Sequence, residues 1–167
     1  MKLYSILYED RRAHAHGDVF GSYLEEHPEK KEEILIKLGV SQDKLPEFLA
    51  FIDKQLETRK NAQSLNQIFA VLDGVKPMWY GGKTNMLLST KLGRLIQRNL
   101  EKLGLISIIV GKHALIGKPE NVNKAAVELE RIKGKAENMD KQFHRVMGLA
   151  LGYPEADVET FVSAYRY

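Results

Sequence analysis

The apolar positions of this chain change period several times, and each change marks a predicted element. Leu3 to Tyr8 is short and rich in aromatic and branched residues, which predicts a strand, and Glu9 to Gly17 is a polar loop. Asp18 is placed to cap a short helix to His27. Pro28 and Glu29 open a second helix that runs to Leu38 and stops at Gly39. Leu45, Phe48, Leu49, Ile52 and Leu56 share one helical face and predict a helix over Asp43 to Lys60, with Pro46 in its first turn. Ser64 to Leu72 supports two readings. Leu65, Ile68, Phe69 and Leu72 have helical spacing behind a Ser64/Gln67 capping box, whereas Asp73-Gly74 is also a hairpin signal. Helix is the preferred reading.

Val75 to Tyr80 predicts a strand that Pro77 confines to an edge or to its first residues. Thr84 or Asn85 then caps a long helix to Leu103, with Leu88, Leu92, Leu95, Ile96, Leu100 and Leu103 inward and Gly104 as its stop. Gly93 inside it marks a close backbone approach. Leu105 to Val110 predicts a strand covered on both faces, Gly111-Lys112 a two-residue turn, and His113 to Gly117 the returning strand. Three helices follow: one capped by Asn121, one with Met139, Phe143, Val146, Met147 and Ala150 inward up to Gly152, and one opened by Pro154. The predicted fold is α+β: a small mixed sheet of three to five strands packed by helices, with a helical C-terminal third. It is read as one compact domain over residues 1–167, with a possible subdivision at 1–118 and 119–167.

Composition sets bounds on this picture. The chain has 167 residues, 44% hydrophobic and 28% charged, enough to close a core without staples. It has no cysteine, so a disulfide framework, a thiolate zinc site and a cysteine nucleophile are excluded. The first ten residues do not read as a signal peptide, and the most apolar stretch, Leu105 to Val110, falls far short of the ~20 residues that span a bilayer. A cytoplasmic protein without a membrane partner or cofactor is the expectation. The formal charge of +3 and a pI near 9.0 allow an anionic partner.

Four groups of residues could carry chemistry. Tyr80-Gly81-Gly82-Lys83-Thr84-Asn85 sits between a predicted strand and helix, where backbone N–H groups attract phosphate. It is not a P-loop, because the first glycine position of that pattern is Pro77. Lys91, Arg94, Arg98 and Lys102 share a helical face, and with Lys83, Thr84 and Lys112 they make a candidate anion or nucleic-acid surface. Trp79 and Tyr80 could stack on a base beside it. His14 and His16, with Asp10 and Asp18 near them, are weak candidate metal ligands. His144 is a weak candidate acid or base.

His144, Gly148, Leu151-Gly152-Tyr153-Pro154, Val158 and Phe161 together resemble the C-terminal motif of an uncharacterised, mainly archaeal family of unknown function. The resemblance covers about a third of the chain. That family often carries paired cysteines where this chain has Ala156 and Asp157, so any thiol chemistry is absent here. The resemblance implies a shared fold and no particular activity.

The leading functional expectation is a non-enzymatic nucleic-acid-binding protein that uses the basic helix face. The alternatives are a small phosphate- or nucleotide-binding enzyme built on the Gly81–Asn85 loop, and an assembly module that forms a homo-oligomer through the C-terminal helices.

Overall fold

The structure, a computed structural model, describes residues 20–85 and 87–165. The expected strand Leu3–Tyr8, its following loop, the Asp18 cap and the candidate ligands Asp10, His14 and His16 lie outside the described residues. The elements run α1 (Tyr23–Glu26), α2 (Lys30–Lys37), α3 (Leu45–Leu56), α4 (Arg59–Leu72) and β1 (Met78–Gly82). Then come α5 (Lys91–Asn99) with a 3-10 turn (Leu100–Leu103), β2 (Ile106–Val110), β3 (His113–Gly117) and α6 (Pro119–Arg131). A second 3-10 turn (Glu137–Met139) leads to α7 (Lys141–Ala150) and α8 (Glu155–Ala164).

The fold is α+β, and among the described residues the sheet is antiparallel rather than mixed. Its three strands lie in the order β1-β3-β2, and both neighbouring pairs are antiparallel. The β2–β3 hairpin slots β3 between β1 and β2, so the two outer strands run parallel to each other without touching. This also corrects the reading of β2. The fully covered strand is β3, where every residue is buried. On the edge strand β2, Ser107 and Ile109 face out, and Ile109 is 62% exposed.

The alternation of side chains divides the core between the two faces. Trp79, Ala114 and Ile116 join Leu35, Ile52, Leu65, Phe69, Leu92 and Ile96 under the N-terminal helices and α5. Met78, Tyr80 and Leu115 join Val122, Leu129, Phe143 and Met147 under α6 and α7. Both helical groups thus bury their apolar faces on one small sheet.

Several element boundaries differ from the sequence reading. The strand expected over Val75 to Tyr80 runs instead from Met78 through both glycines to Gly82, and Val75 is exposed before it. The helix expected over Asp43 to Lys60 breaks after Leu56, because Thr58 is extended; α4 starts at Arg59 and carries Ser64 to Leu72 as helix, as expected, with Ser64 inside rather than at the cap. The long helix expected from Thr84 starts only at Lys91. Asn85 uses its side chain to cap a turn instead, accepting from Leu87 N at 2.9 Å, and Thr90 is the true cap, its Oγ1 accepting from Gly93 N at 3.1 Å. Asn121 does not cap α6, which opens on Pro119; its amide donates to Ala150 O on α7 at 3.1 Å.

The close approach expected at Gly93 is present, and Gly148 makes a second one. A Cβ on Gly93 would meet Leu87 O at 2.1 Å, and one on Gly148 would meet a Val158 methyl at 2.9 Å where α7 crosses α8.

Candidate functional site

The Gly82–Asn85 turn leaves β1 and runs along α4. The Asn85 amide donates to Ser64 Oγ on α4 at 3.3 Å, which fixes the turn against the helix. Between them is a cavity of about 420 Å³, within the range of small-molecule sites. Its walls are Lys60, Asn61, Gln63, Ser64 and Gln67 from α4, Trp79 and Gly82 from β1, and Thr84 and Asn85 from the turn. Gln67 and Trp79 are buried. The wall is therefore mainly amide and hydroxyl groups beside an indole, with one cation.

The phosphate cradle expected from this loop does not form. The N–H groups of Lys83, Asn85 and Leu87 already donate to Lys112 O, Gly82 O and Asn85 Oδ1. No helix begins at Thr84 either, so the loop itself contributes no helix-end partial charge; the helix start that borders the cavity is that of α4, at Lys60 and Asn61. Gly81 has a packing role: a Cβ there would meet the Trp79 indole at 2.2 Å. Trp79 and Tyr80 are each 2% exposed, so neither is a free stacking platform on the surface. Trp79 reaches ligand space only through the cavity.

The basic residues do not form one ridge. Lys91 bonds Glu47 on α3 at 2.8 Å and holds that carboxyl below the usual range. Arg94 turns back to Ser89 O at 2.8 Å. The Lys102 ammonium packs over Gly39, just beyond the C-terminal end of α2, where a cation offsets the carbonyl dipoles. Arg98 is exposed on the outer side of α5. Lys83 and Lys112 are brought together, but at the tip of the sheet, where Lys83 N donates to Lys112 O at 2.9 Å.

His144 lies on the other face of the sheet and lines neither cavity described for this chain. It is 2% exposed among Phe143, Phe161 and Tyr165, with ring centroids 5.9, 5.5 and 5.1 Å away. Burial pushes its imidazole down to about 4, against smaller opposing effects of the Asp140 charge and the Glu137 backbone. It is a neutral core residue at pH 7 and does not meet the Gly81–Asn85 loop. Among the described residues no group of three or more histidines and carboxylates is placed to hold a metal ion.

Asn61 and Gln63 drew no attention in the sequence, and Ser64 and Gln67 drew it only as a helix cap. The polar side of α4 repeats at Lys60, Ser64 and Gln67, a helical spacing that was visible. Nothing in the sequence indicated that a turn would close over it. The Leu151-Gly152-Tyr153-Pro154 run has a packing role: buried Lys76 donates to Leu151 O at 3.4 Å and lies 5.8 Å from the Tyr153 ring centre, while Gly152 sits against Pro77.

No protein-family model matches the chain, and neither a curated protein nor a solved structure matches it. Among the described residues no helix is long and apolar enough to cross a membrane.

Proposed function

We propose that this chain is a cytoplasmic, non-enzymatic binding protein for a small polar ligand of the nucleobase or nucleotide class. The ligand occupies the cavity between α4 and the Gly82–Asn85 turn. The observation that carries this reading is the wall itself: amide and hydroxyl side chains of Gln63, Ser64, Gln67, Thr84 and Asn85 facing the same space as the edge of Trp79. Carboxamides pair with the donor and acceptor edges of bases, and an indole supplies an apolar wall for a planar ring. Lys60 provides for a single negative charge, which favours a monophosphate over a triphosphate.

Trp79 is the only tryptophan of the chain, so its emission reports occupancy directly. Titration with nucleosides and nucleoside monophosphates is expected to give a saturable change, weakened by Gln63→Ala with Ser64→Ala. Lys60→Gln is expected to weaken monophosphates more than nucleosides. An emission that no base, nucleoside or nucleotide alters at millimolar concentration refutes the assignment.

Nucleic-acid binding remains the second reading. It is favoured by exposed Arg98 and by the pairing of Lys83 with Lys112 at the sheet tip, and weakened by the internal partners of Lys91 and Arg94. Oligonucleotide affinity that falls steeply with salt and leaves Trp79 emission unchanged selects this reading over the first. Homo-oligomer formation through the C-terminal helices has less support, because α7 and α8 bury their apolar faces against each other and the sheet core.

A further inference from the structure

We infer that a second site, on the opposite face of the same sheet end, binds a small polyanion of the phosphate or pyrophosphate type. It is a cavity of about 420 Å³ between the β2–β3 turn and the chain that leaves α6. Two turns with left-handed glycines form its mouth, Gly111 at φ 59° and Gly134 at φ 79°. Each turn presents lysine to the opening: Lys112 from the hairpin, and Lys133 and Lys135 from the turn after α6. All three are exposed.

The floor has a buried polar group. The His113 side chain is 8% exposed, stacks on Tyr80 with centroids 5.0 Å apart, and places Nε2 at 3.1 Å from Glu137 Oε1. Glu137 is the only carboxylate in the lining, and it is engaged by His113. The charge facing the opening is therefore positive, from two chain segments about 20 residues apart in sequence. Lys133 has a loose partner in Glu130 at 3.8 Å, whereas Lys112 and Lys135 make no ion pair among the described residues. Lysines near the C-terminal end of α6 also offset its dipole, and that would account for Lys133 and Lys135 alone. It does not account for Lys112, which comes from another element and faces the same space.

Several ammonium groups around one cavity suit a ligand with more than one negative charge, because each added charge-assisted contact multiplies affinity. The probe is inorganic pyrophosphate, titrated into the full chain and followed by backbone amide NMR. Saturable shifts are expected at Gly111, Lys112, Gly134 and Lys135, with Trp79 emission unchanged. Lys112→Gln with Lys135→Gln is expected to weaken binding at least about tenfold, while Lys91→Gln on α5 leaves it unaltered. Shifts that never saturate and spread over unrelated lysines overturn the inference. So does a double variant that binds as the parent does, or a response confined to the Trp79 cavity. The last two outcomes leave the reading of the Trp79 cavity intact.

Discussion

Gly93 is a strong test of how α5 is seated. In a solvent-facing helix, exchange of glycine for alanine gains about 1 kcal/mol. Here the added methyl would lie 2.1 Å from Leu87 O and 2.7 Å from Leu88 Cα, both backbone atoms that no rotamer change can move. Overpacking of this kind costs about 1–3 kcal/mol, and contact with backbone puts it at the upper end. The same carbonyl, Leu87 O, accepts from Thr90 Oγ1 at 2.6 Å, and Thr90 Oγ1 accepts from Gly93 N at 3.1 Å. Pushing the 87–88 segment away therefore also weakens the N-cap, at about 1 kcal/mol. About 3 for the contact and about 1 for the cap, less about 1 for propensity, leaves Gly93→Ala destabilised by about 3 kcal/mol. In a chain of this size that is a fall in Tm of roughly 6–12 °C. Urea unfolding followed by circular dichroism should show a lower midpoint at unchanged slope. Gly148→Ala serves as the comparison, since its methyl meets only a Val158 side-chain methyl at 2.9 Å; a loss of about 1 kcal/mol is expected. A Gly93→Ala protein as stable as the parent would refute the close packing of α5 on the 87–88 segment.

Two further perturbations probe the C-terminal half. His144 is held neutral by burial, with its folded value lowered to about 4, so it stabilises the fold fully above the ordinary imidazole value of about 6.5. That contribution is lost as pH falls from about 6.5 to about 4, up to about 3 kcal/mol, and His144→Phe should flatten the profile across this window. An unchanged slope in the variant would remove His144 as its source. Arg131 donates to buried Glu128 through Nε at 2.8 Å and to Asp140 at 2.7 Å, while Asp140 caps α7 through Phe143 N. Arg131→Ala should lower the urea midpoint clearly more than Lys91→Ala, whose partner Glu47 is exposed; equal effects would show that the α6–α7 link contributes nothing special.

Much of the fold was legible because its elements keep a clean period. The hairpin turn at Gly111-Lys112 joins His113–Gly117 to its partner as read, and Phe143, Met147 and Ala150 are buried as read. Met139, read onto the same face, lies instead in the preceding 3-10 turn and is exposed, and Val146 is only half-buried. The errors fall where two local signals compete. Leu88 continues the apolar period of Leu92 and Leu95, and Thr84-Asn85 is as good a cap on paper as Thr90. The contact of Asn85 with Ser64, 21 residues earlier, anchors this stretch against α4, and the local bonds of Asn85 and Thr90 hold it in turns and delay the helix. The Trp79 cavity was half legible. The paired glycines marked the turn, but polar residues on an amphipathic helix normally face water, so α4 gave no sign of forming the second wall. The lysine cavity was not legible, since His113 and Glu137 are 24 residues apart and pair only across the hairpin and the turn after α6.

The two ends of the sheet explain why both cavities lie where they do. At the end formed by Met78, Gly117 and Ile106 the chain is closed by contact. A Cβ on Gly117 would meet Pro77 O at 2.3 Å, Gly152 lies against the Pro77 ring, and Lys118 N donates to Pro77 O. Lys76 is buried beside them, 5.0 Å from the Phe20 ring centre and bonded to Leu151 O. The Leu151–Pro154 run thus works as a plug that ties the C-terminal helices to the entry of β1. At the other end, formed by Gly82, His113 and Val110, no such plug exists among the described residues. One cavity opens beside Gly82 on the α4 face and the other beneath His113 on the α6 face, with Lys83 and Lys112 joined between them. If either cavity binds a ligand, binding falls at the end of the sheet that lacks the plug, away from the contacts of Pro77 and Gly152.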